Sequence, residues 1–322
     1  MHNVIEGGFF HYNIYMKKNM NYFERAKTYF NKGQFDYALI DCEYAQKICE
    51  SSAASEISEF RKKIIERKTA TYTHRNAEKY QCIASAAMRK GNYDSAIKAA
   101  TKAIKLYHCV PLFHLYGEVS RSAWFEYIDK VLDSYLLRAQ AYFETGDYDL
   151  VLEDCEGHQN QEKYLRYDNQ ILRAKAYLKK DDYEMAIFIC ERMKWKRPDF
   201  YTISAEAHLK NKNYLFAIEH CRKAFEAVEK EDYCMDKETG KALNYFIRAQ
   251  SYFLSENKGI AFEDCEYALN ELAEREWETT LVGVGDSYYN DLCGGSLAAI
   301  KKIRKLRDEI SKYYTSITPA VI

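Results

Sequence analysis

Proline is nearly missing from this chain of 322 residues, with three in all, and glycine is sparse at 13. Sheet and turn architectures need both at their many reversals, so their scarcity argues for long helices instead. No stretch approaches the roughly 20 apolar residues that a membrane span requires. No charge of one sign dominates either: 47 lysines and arginines face 48 acids, a formal net charge of −1. Proteins that neutralise many phosphates carry a basic excess or a basic stripe, so nucleic acid gains no support as a partner. The N-terminus lacks the pattern of a secretory leader. Met1–Met20 mixes Asn3, Glu6, His11 and Asn13 among its apolar residues, and its basic pair Lys17–Lys18 lies on the wrong side of them. The ten cysteines are therefore expected to be reduced thiols in a cytoplasmic protein.

Hydrophobic residues at 47% and charged ones at 30% suffice for a packed core, and tyrosine is over-used at 29 residues. The tyrosines recur. Six segments align without a gap: Tyr22 to Ala45, Tyr80 to Ala103, Tyr135 to His158, Gln170 to Met193, Tyr201 to Ala224 and Tyr245 to Ala268. Small residues share two columns, one at Ala26, Ala84, Ala139, Ala174, Ala205 and Ala249, the other at Ala38, Ala96, Val151, Ala186, Ala217 and Ala261. Such columns mark places where two helices approach closely. Between them stand turns such as Lys32-Gly33-Gln34-Phe35, Lys90-Gly91-Asn92-Tyr93 and Thr145-Gly146-Asp147-Tyr148, whose glycine can take positive φ at a helix C-terminus.

This pattern resembles the tetratricopeptide repeat, with its Trp-x2-Leu-Gly-x2-Tyr and Ala-x3-Phe signature in units of about 34 residues. Tyr22, Tyr80, Tyr135, Tyr201 and Tyr245 stand at its tryptophan, alanine replaces its glycine, and Tyr29, Tyr142, Tyr177 and Tyr252 match its tyrosine. The resemblance implies an all-α, right-handed solenoid of about six helix pairs, with inserted helices and a C-terminal capping helix. The expected organisation is an N-terminal extension over 1–19, the repeat array over 20–272, and a turn-rich segment with the capping helix over 273–322. The anchors at Ala38, Ala96, Val151, Ala186, Ala217 and Ala261 are 58, 55, 35, 31 and 44 residues apart. The first two intervals thus hold extra sequence. In one, Ser55–Arg67 carries Ile57, Phe60, Ile64 and Ile65 at helical spacing and either lengthens or adds a helix; the other holds Leu112–Val131. At the far end, Leu297, Ile300, Ile303, Leu306 and Ile310 follow helical spacing among basic residues, as a cap over the last repeat or as a helix for an acidic surface.

Cysteine recurs at Cys42, Cys155, Cys190, Cys221 and Cys265, where the family carries its second aromatic; a free cysteine packs as a small hydrophobe. No CxxC pair, glycine-rich phosphate loop, nucleophile elbow or paired-carboxylate signature occurs. The eight histidines include no pair in a metal-binding helical pattern, and Pro111 separates His108 and Cys109 from His114. No catalytic residue, metal or cofactor is expected. Three repeats carry an aspartate just before the column cysteine (Asp41, Asp154, Asp264) and an arginine just before the column alanine (Arg25, Arg138, Arg248). Each couple reads as a helix-to-helix ion pair, or else as independent surface charges. Arg173 has no such aspartate, since Ile189 stands there.

The family's carboxylate clamp, which grips acidic C-terminal tails of chaperones, needs lysines and asparagines along the groove. The matching positions here are Phe23 and Lys27, Gln81 and Ser85, Leu136 and Gln140, Ile171 and Lys175, Thr202 and Glu206, Phe246 and Gln250. None fits. The groove columns are largely apolar: Phe23 and Phe30, Leu136 and Phe143, Ile171 and Leu178, Phe246 and Phe253 stand two turns apart and share a face. The expected groove is Phe23, Lys27, Phe30, Leu136, Phe143, Ile171, Leu178, Phe246 and Phe253, unless neighbouring helices or the chain's own ends (Phe9, Phe10 and Tyr15 among them) cover it. The expected function is a non-catalytic adaptor or scaffold that holds a peptide or helix of another protein, with no membrane partner. The alternatives are a helical-repeat RNA binder, or an accessory subunit of an enzyme or permanent assembly.

Overall fold

The computed structural model describes residues 22–48, 51–110, 121–156, 167–193, 197–230, 237–279 and 296–317. Among them are thirteen helices and no strand, so the fold is an all-α helical repeat. The N-terminal extension with Phe9, Phe10 and Tyr15 lies outside the described residues. The chain forms two compact units, 1–141 and 142–322.

One backbone device repeats in all six helix pairs. At the second turn position the backbone enters the left-handed region, at Gly33 (φ 71°), Gly91 (68°) and Gly146 (88°), and equally at Asp181 (60°), Lys212 (62°) and Glu256 (67°). The next residue's N–H then bonds back to the carbonyl five positions earlier: Gln34 to Tyr29, Asn92 to Ala87, Asp147 to Tyr142, Asp182 to Tyr177, Asn213 to His208, Asn257 to Tyr252, all at 2.8–3.0 Å. This closes each first helix and satisfies its orphan carbonyls. Where the turn's last residue is Asn92 or Asp182, its side chain also accepts from the N–H three residues on and caps the second helix. Glycine therefore betrays only half of these turns in the sequence.

In the first unit, α1 (22–31) and α2 (Phe35–Ile48) form the first pair. Helix α3 (Ser51–Arg89) is one continuous rod of 39 residues, about 58 Å long at 1.5 Å per residue. Its last ten residues are the first helix of the second repeat, paired with α4 (Tyr93–His108). The Ser55–Arg67 insertion thus lengthens a helix. Its apolar face, Ile57 and Ile64, is buried with Ala26, Ala38, Cys42 and Ala45 against the first pair. Of the second insertion, Leu112–Val131, residues 112–120 lie outside the described residues, and Arg121–Val131 is fused to the first helix of the third repeat as α5 (Arg121–Thr145). Tyr127 and Val131 of that fused part join Ala77, Ala103 and fully buried Tyr107 in one cluster. There the Tyr127 hydroxyl donates to the Tyr107 carbonyl, while the Tyr107 hydroxyl donates to Gln81 Oε1 at 3.1 Å. Extra helical turns are in both cases used to cover the flank of a neighbouring pair.

The second unit holds α6 (Tyr148–Glu156), α7 (Tyr167–Lys179), α8 (Tyr183–Arg192), α9 (Pro198–Lys210) and α10 (Tyr214–Lys230). It ends with α11 (Lys237–Leu254), α12 (Lys258–Thr279) and α13 (Ser296–Ile317). Each helix packs on the next, and the first helices of successive repeats also touch, α7 on α9 and α9 on α11. The two small-residue columns are fully buried in every repeat. The cysteine column is buried too, at 0–5% exposure. Burial pushes the thiols up, Cys42 to about 11 and Cys155 and Cys265 to about 12. Helix α13 lays Ile300, Ile303, Leu306 and Ile310 onto α11 and α12, in one cluster with Leu243, Phe246, Ile247 and Leu272. It closes the last repeat face as a cap.

Candidate functional site

Two clefts run between first helices, and groove-column residues line both. In the first unit a cleft of about 720 Å³ lies between α3 and α5. Gln81, Ser85, Leu136 and Gln140 of the groove columns line it, together with Glu78, Cys82, Arg89 and Asp133. In the second unit a cleft of about 620 Å³ is bounded by α9, α11 and α13. Phe246, Gln250 and Glu206 meet Lys302, Lys305 and Leu306 of the capping helix there. Burial raises the Glu206 carboxyl above its ordinary value, against the lowering pull of Lys210 and more distant lysines.

Packing treats the sequence-nominated groove residues unequally. Phe23 and Phe30 are half-buried, each edge-on to Phe60 of the inserted part of α3 at 5.6 and 5.3 Å. The Lys27 ammonium sits over the Phe23 ring and pairs with Glu24 at 3.0 Å. Leu136 lines the open cleft of the first unit. Phe143 is buried and packs on Tyr148. Ile171 and Leu178 are buried against Phe200, Ile203 and Ala207 of α9. Phe246 is buried under α13, and Phe253 packs partly against the same cluster. A surface that reads as groove from one helix alone is thus largely contact between neighbouring repeats.

The charged columns form a second lattice. Arg25 grips Asp41 with two bonds of 2.6 Å, and Arg248 grips Asp264 with bonds of 2.8 and 2.7 Å. Of the third couple, Arg138 stands in the first unit and Asp154 in the second; within its own unit Arg138 donates to Thr101 at 3.2 Å. Arg173 has its carboxylate after all, on the preceding repeat: Glu156 accepts from it at 2.8 Å and from the Tyr177 hydroxyl at 3.2 Å. The residue after the column cysteine in one repeat therefore faces the arginine and tyrosine columns of the next.

The fifth repeat departs from this lattice. Ser204 replaces the arginine, His208 the tyrosine and His220 the aspartate. His208 and His220 are both 8% exposed, with ring centroids 5.0 Å apart. Glu191, the residue that follows the column cysteine of the fourth repeat, brings its carboxylate to them, and one ligand atom from each of the three lies within 4.8 Å of the others. Burial lowers the proton affinity of His208, with Glu191 pulling it back up. Histidine spacing within one helix gives no hint of this trio. Aligning the repeats column by column does, because both histidines fall where other repeats carry interacting side chains.

The family model described as tetratricopeptide repeat matches residues 80–107. No curated protein matches the chain. Among solved structures, the TPR2AB-domain:pHSP90 complex of yeast Sti1 is similar at 15% identity, covering 92% of this chain and 99% of that one with a TM-score of 0.32. The P58(IPK) TPR domain is similar at 13% identity, covering 91% and 80% with a TM-score of 0.29. Neither likeness is close enough to carry a site or a partner to this chain.

Proposed function

We propose that this chain, a tetratricopeptide-repeat protein, is a non-catalytic adaptor that takes a peptide or helix of a partner protein into the cleft between α3 and α5. The observation that supports this reading is the cleft itself: about 720 Å³ of open space lined by the groove columns of two successive repeats. Its lining combines apolar Leu136 and Leu137 with the neutral donors and acceptors Gln81, Ser85 and Gln140. Such a lining suits an apolar anchor flanked by backbone amides, not an acidic tail, and association should survive moderate salt. Phe143, Ile171, Leu178 and Phe246 are buried by their neighbours, so a partner reaches them only by displacing a helix, and their truncation should cost stability before it costs binding. Phe23, Lys27, Phe30 and Phe253 form the half-exposed margin of the same helical rows. No helix among the described residues is long and apolar enough to cross a membrane.

A photo-crosslinking amino acid at position 136, with another at exposed Tyr37 as control, tests the site in native extract. A partner trapped from position 136 alone, and bound at least about tenfold more weakly by Leu136→Glu (about 1.4 kcal/mol), supports the reading. Equal trapping from both positions, or binding indifferent to Leu136→Glu, ends it.

A further inference from the structure

We propose that Glu191, His208 and His220 form a binding site for a divalent transition-metal ion of the zinc class. The sequence offered no metal motif, and what carries the site is the convergence of three helices in the second unit. Glu191 lies in the last turn of α8, His208 in the last turn of α9, and His220 in α10. Their ligand atoms already lie within 4.8 Å of one another. A tetrahedral ion with bonds near 2.0–2.1 Å holds its ligand atoms about 3.3 Å apart. Rotation of the exposed Glu191 side chain and a small turn of the rings close that difference.

The second observation is an unmet demand. Neither ring nitrogen of His208 has a hydrogen-bond partner among the described residues, although the residue is more than nine-tenths buried. A buried polar group without a partner is costly. Ordinary core histidines escape that cost by bonding a carbonyl, a hydroxyl or a carboxylate. Here Ser204, one turn earlier on the same helix, is 1% exposed, and its hydroxyl likewise has no hydrogen-bond partner among the described residues. An ion satisfies one nitrogen of His208 directly.

Comparison between repeats sharpens the inference. At the junction one repeat earlier, Glu156 receives a guanidinium and a phenol, Arg173 and Tyr177. At the junction with the fifth repeat the arginine is gone, so Glu191 faces two imidazoles and no fixed cation at that column. Neutral imidazoles and a carboxylate are the donor set that suits zinc, nickel, copper or cobalt, and not calcium or magnesium. With three protein ligands and an exposed carboxylate at the rim, water fills the fourth position. The ion then ties the fourth repeat to the fifth, in place of the ion-pair lattice used elsewhere.

The test uses the full chain with exposed cysteines alkylated, titrated with Zn²⁺ calorimetrically and with Co²⁺ optically. The proposal expects one tight equivalent and Co²⁺ d–d bands without thiolate-to-metal charge transfer. It also expects a rise of a few degrees in the melting temperature with Zn²⁺. His208→Gln or His220→Gln should weaken binding by at least about a hundredfold, more than loss of an outer ligand partner costs. The triple variant S204R/H208Y/H220D restores the residues of the common lattice. It should keep the helical spectrum and lose the zinc-dependent rise in melting temperature. No tight equivalent in the parent chain, a charge-transfer band that betrays cysteine ligation, or binding unchanged in the triple variant would each overturn the proposal.

Discussion

The two ion pairs repeated at equivalent positions set bond length against burial, and a pair of double-mutant cycles decides between them. Arg25–Asp41 has the shorter bonds, 2.6 Å each against 2.8 and 2.7 Å for Arg248–Asp264. Its arginine is 50% exposed, however, while Arg248 is 22% exposed, and both aspartates are almost fully buried at 3% and 2%. Water and salt screen a half-exposed guanidinium, so burial should win. Each charge-assisted bond of the Arg248 fork contributes about 1.5–3 kcal/mol net, and desolvation of the buried carboxylate offsets a large part of the sum. A coupling energy of about 2–3 kcal/mol follows for R248A/D264A. The single change Asp264→Ala should cost about 3–5 kcal/mol, because it strands a partly buried cation. The Arg25 cycle should give a clearly smaller coupling, and one that shrinks further in 0.5 M salt. Urea unfolding followed by far-ultraviolet circular dichroism measures each cycle, with hydrogen exchange in α2 and α12 assigning the transitions to their units. A coupling in the first repeat equal to or above that in the sixth, or one below about 0.5 kcal/mol in the sixth, would refute the reasoning.

Lys212→Gly and Glu256→Gly should each stabilise the chain by about 1 kcal/mol, since a side chain held in the left-handed region costs about 1–2 kcal/mol and the backbone there matches that of Gly33, Gly91 and Gly146; Gly91→Ala should show the opposite sign in the same urea titration. In thiol labelling with peptide mapping, exposed Cys82 and Cys109 should react in the native state, while Cys42, Cys155, Cys190, Cys221 and Cys265 wait for unfolding. Because burial raises the folded thiols from about 9 to about 11 or 12, the unfolded chain releases protons first; stability should be level below about pH 9 and fall as pH rises toward 12, and a stability that climbs over that range would contradict the buried column. Ile303 and Ile310 are 1% and 0% exposed, so either one changed to alanine should cost about 2–4 kcal/mol, whereas a melting curve unchanged by both would mean that α13 is not a cap.

The all-helical repeat and its register were legible in the sequence because they rest on short-range rules. Two small-residue columns mark where helices approach, and the turns of the first three repeats announce themselves by glycine. The cysteine column and the Arg25–Asp41 and Arg248–Asp264 couples were legible for the same reason: six aligned copies convert a long-range contact into a recurring pair of positions. Three things needed the tertiary structure. Asp181, Lys212 and Glu256 adopt the glycine conformation without being glycine, since packing on both sides of the turn imposes a backbone that local preference opposes. The groove columns belong to faces whose exposure depends on which neighbour lies across them, so Leu136 lines an open cleft while Ile171 and Leu178, alike in sequence, are buried by α9. And Glu191, His208 and His220 meet only because α8, α9 and α10 stack. Hydrophobic periodicity reports which side of a helix turns inward, but it does not report which partner residue waits there.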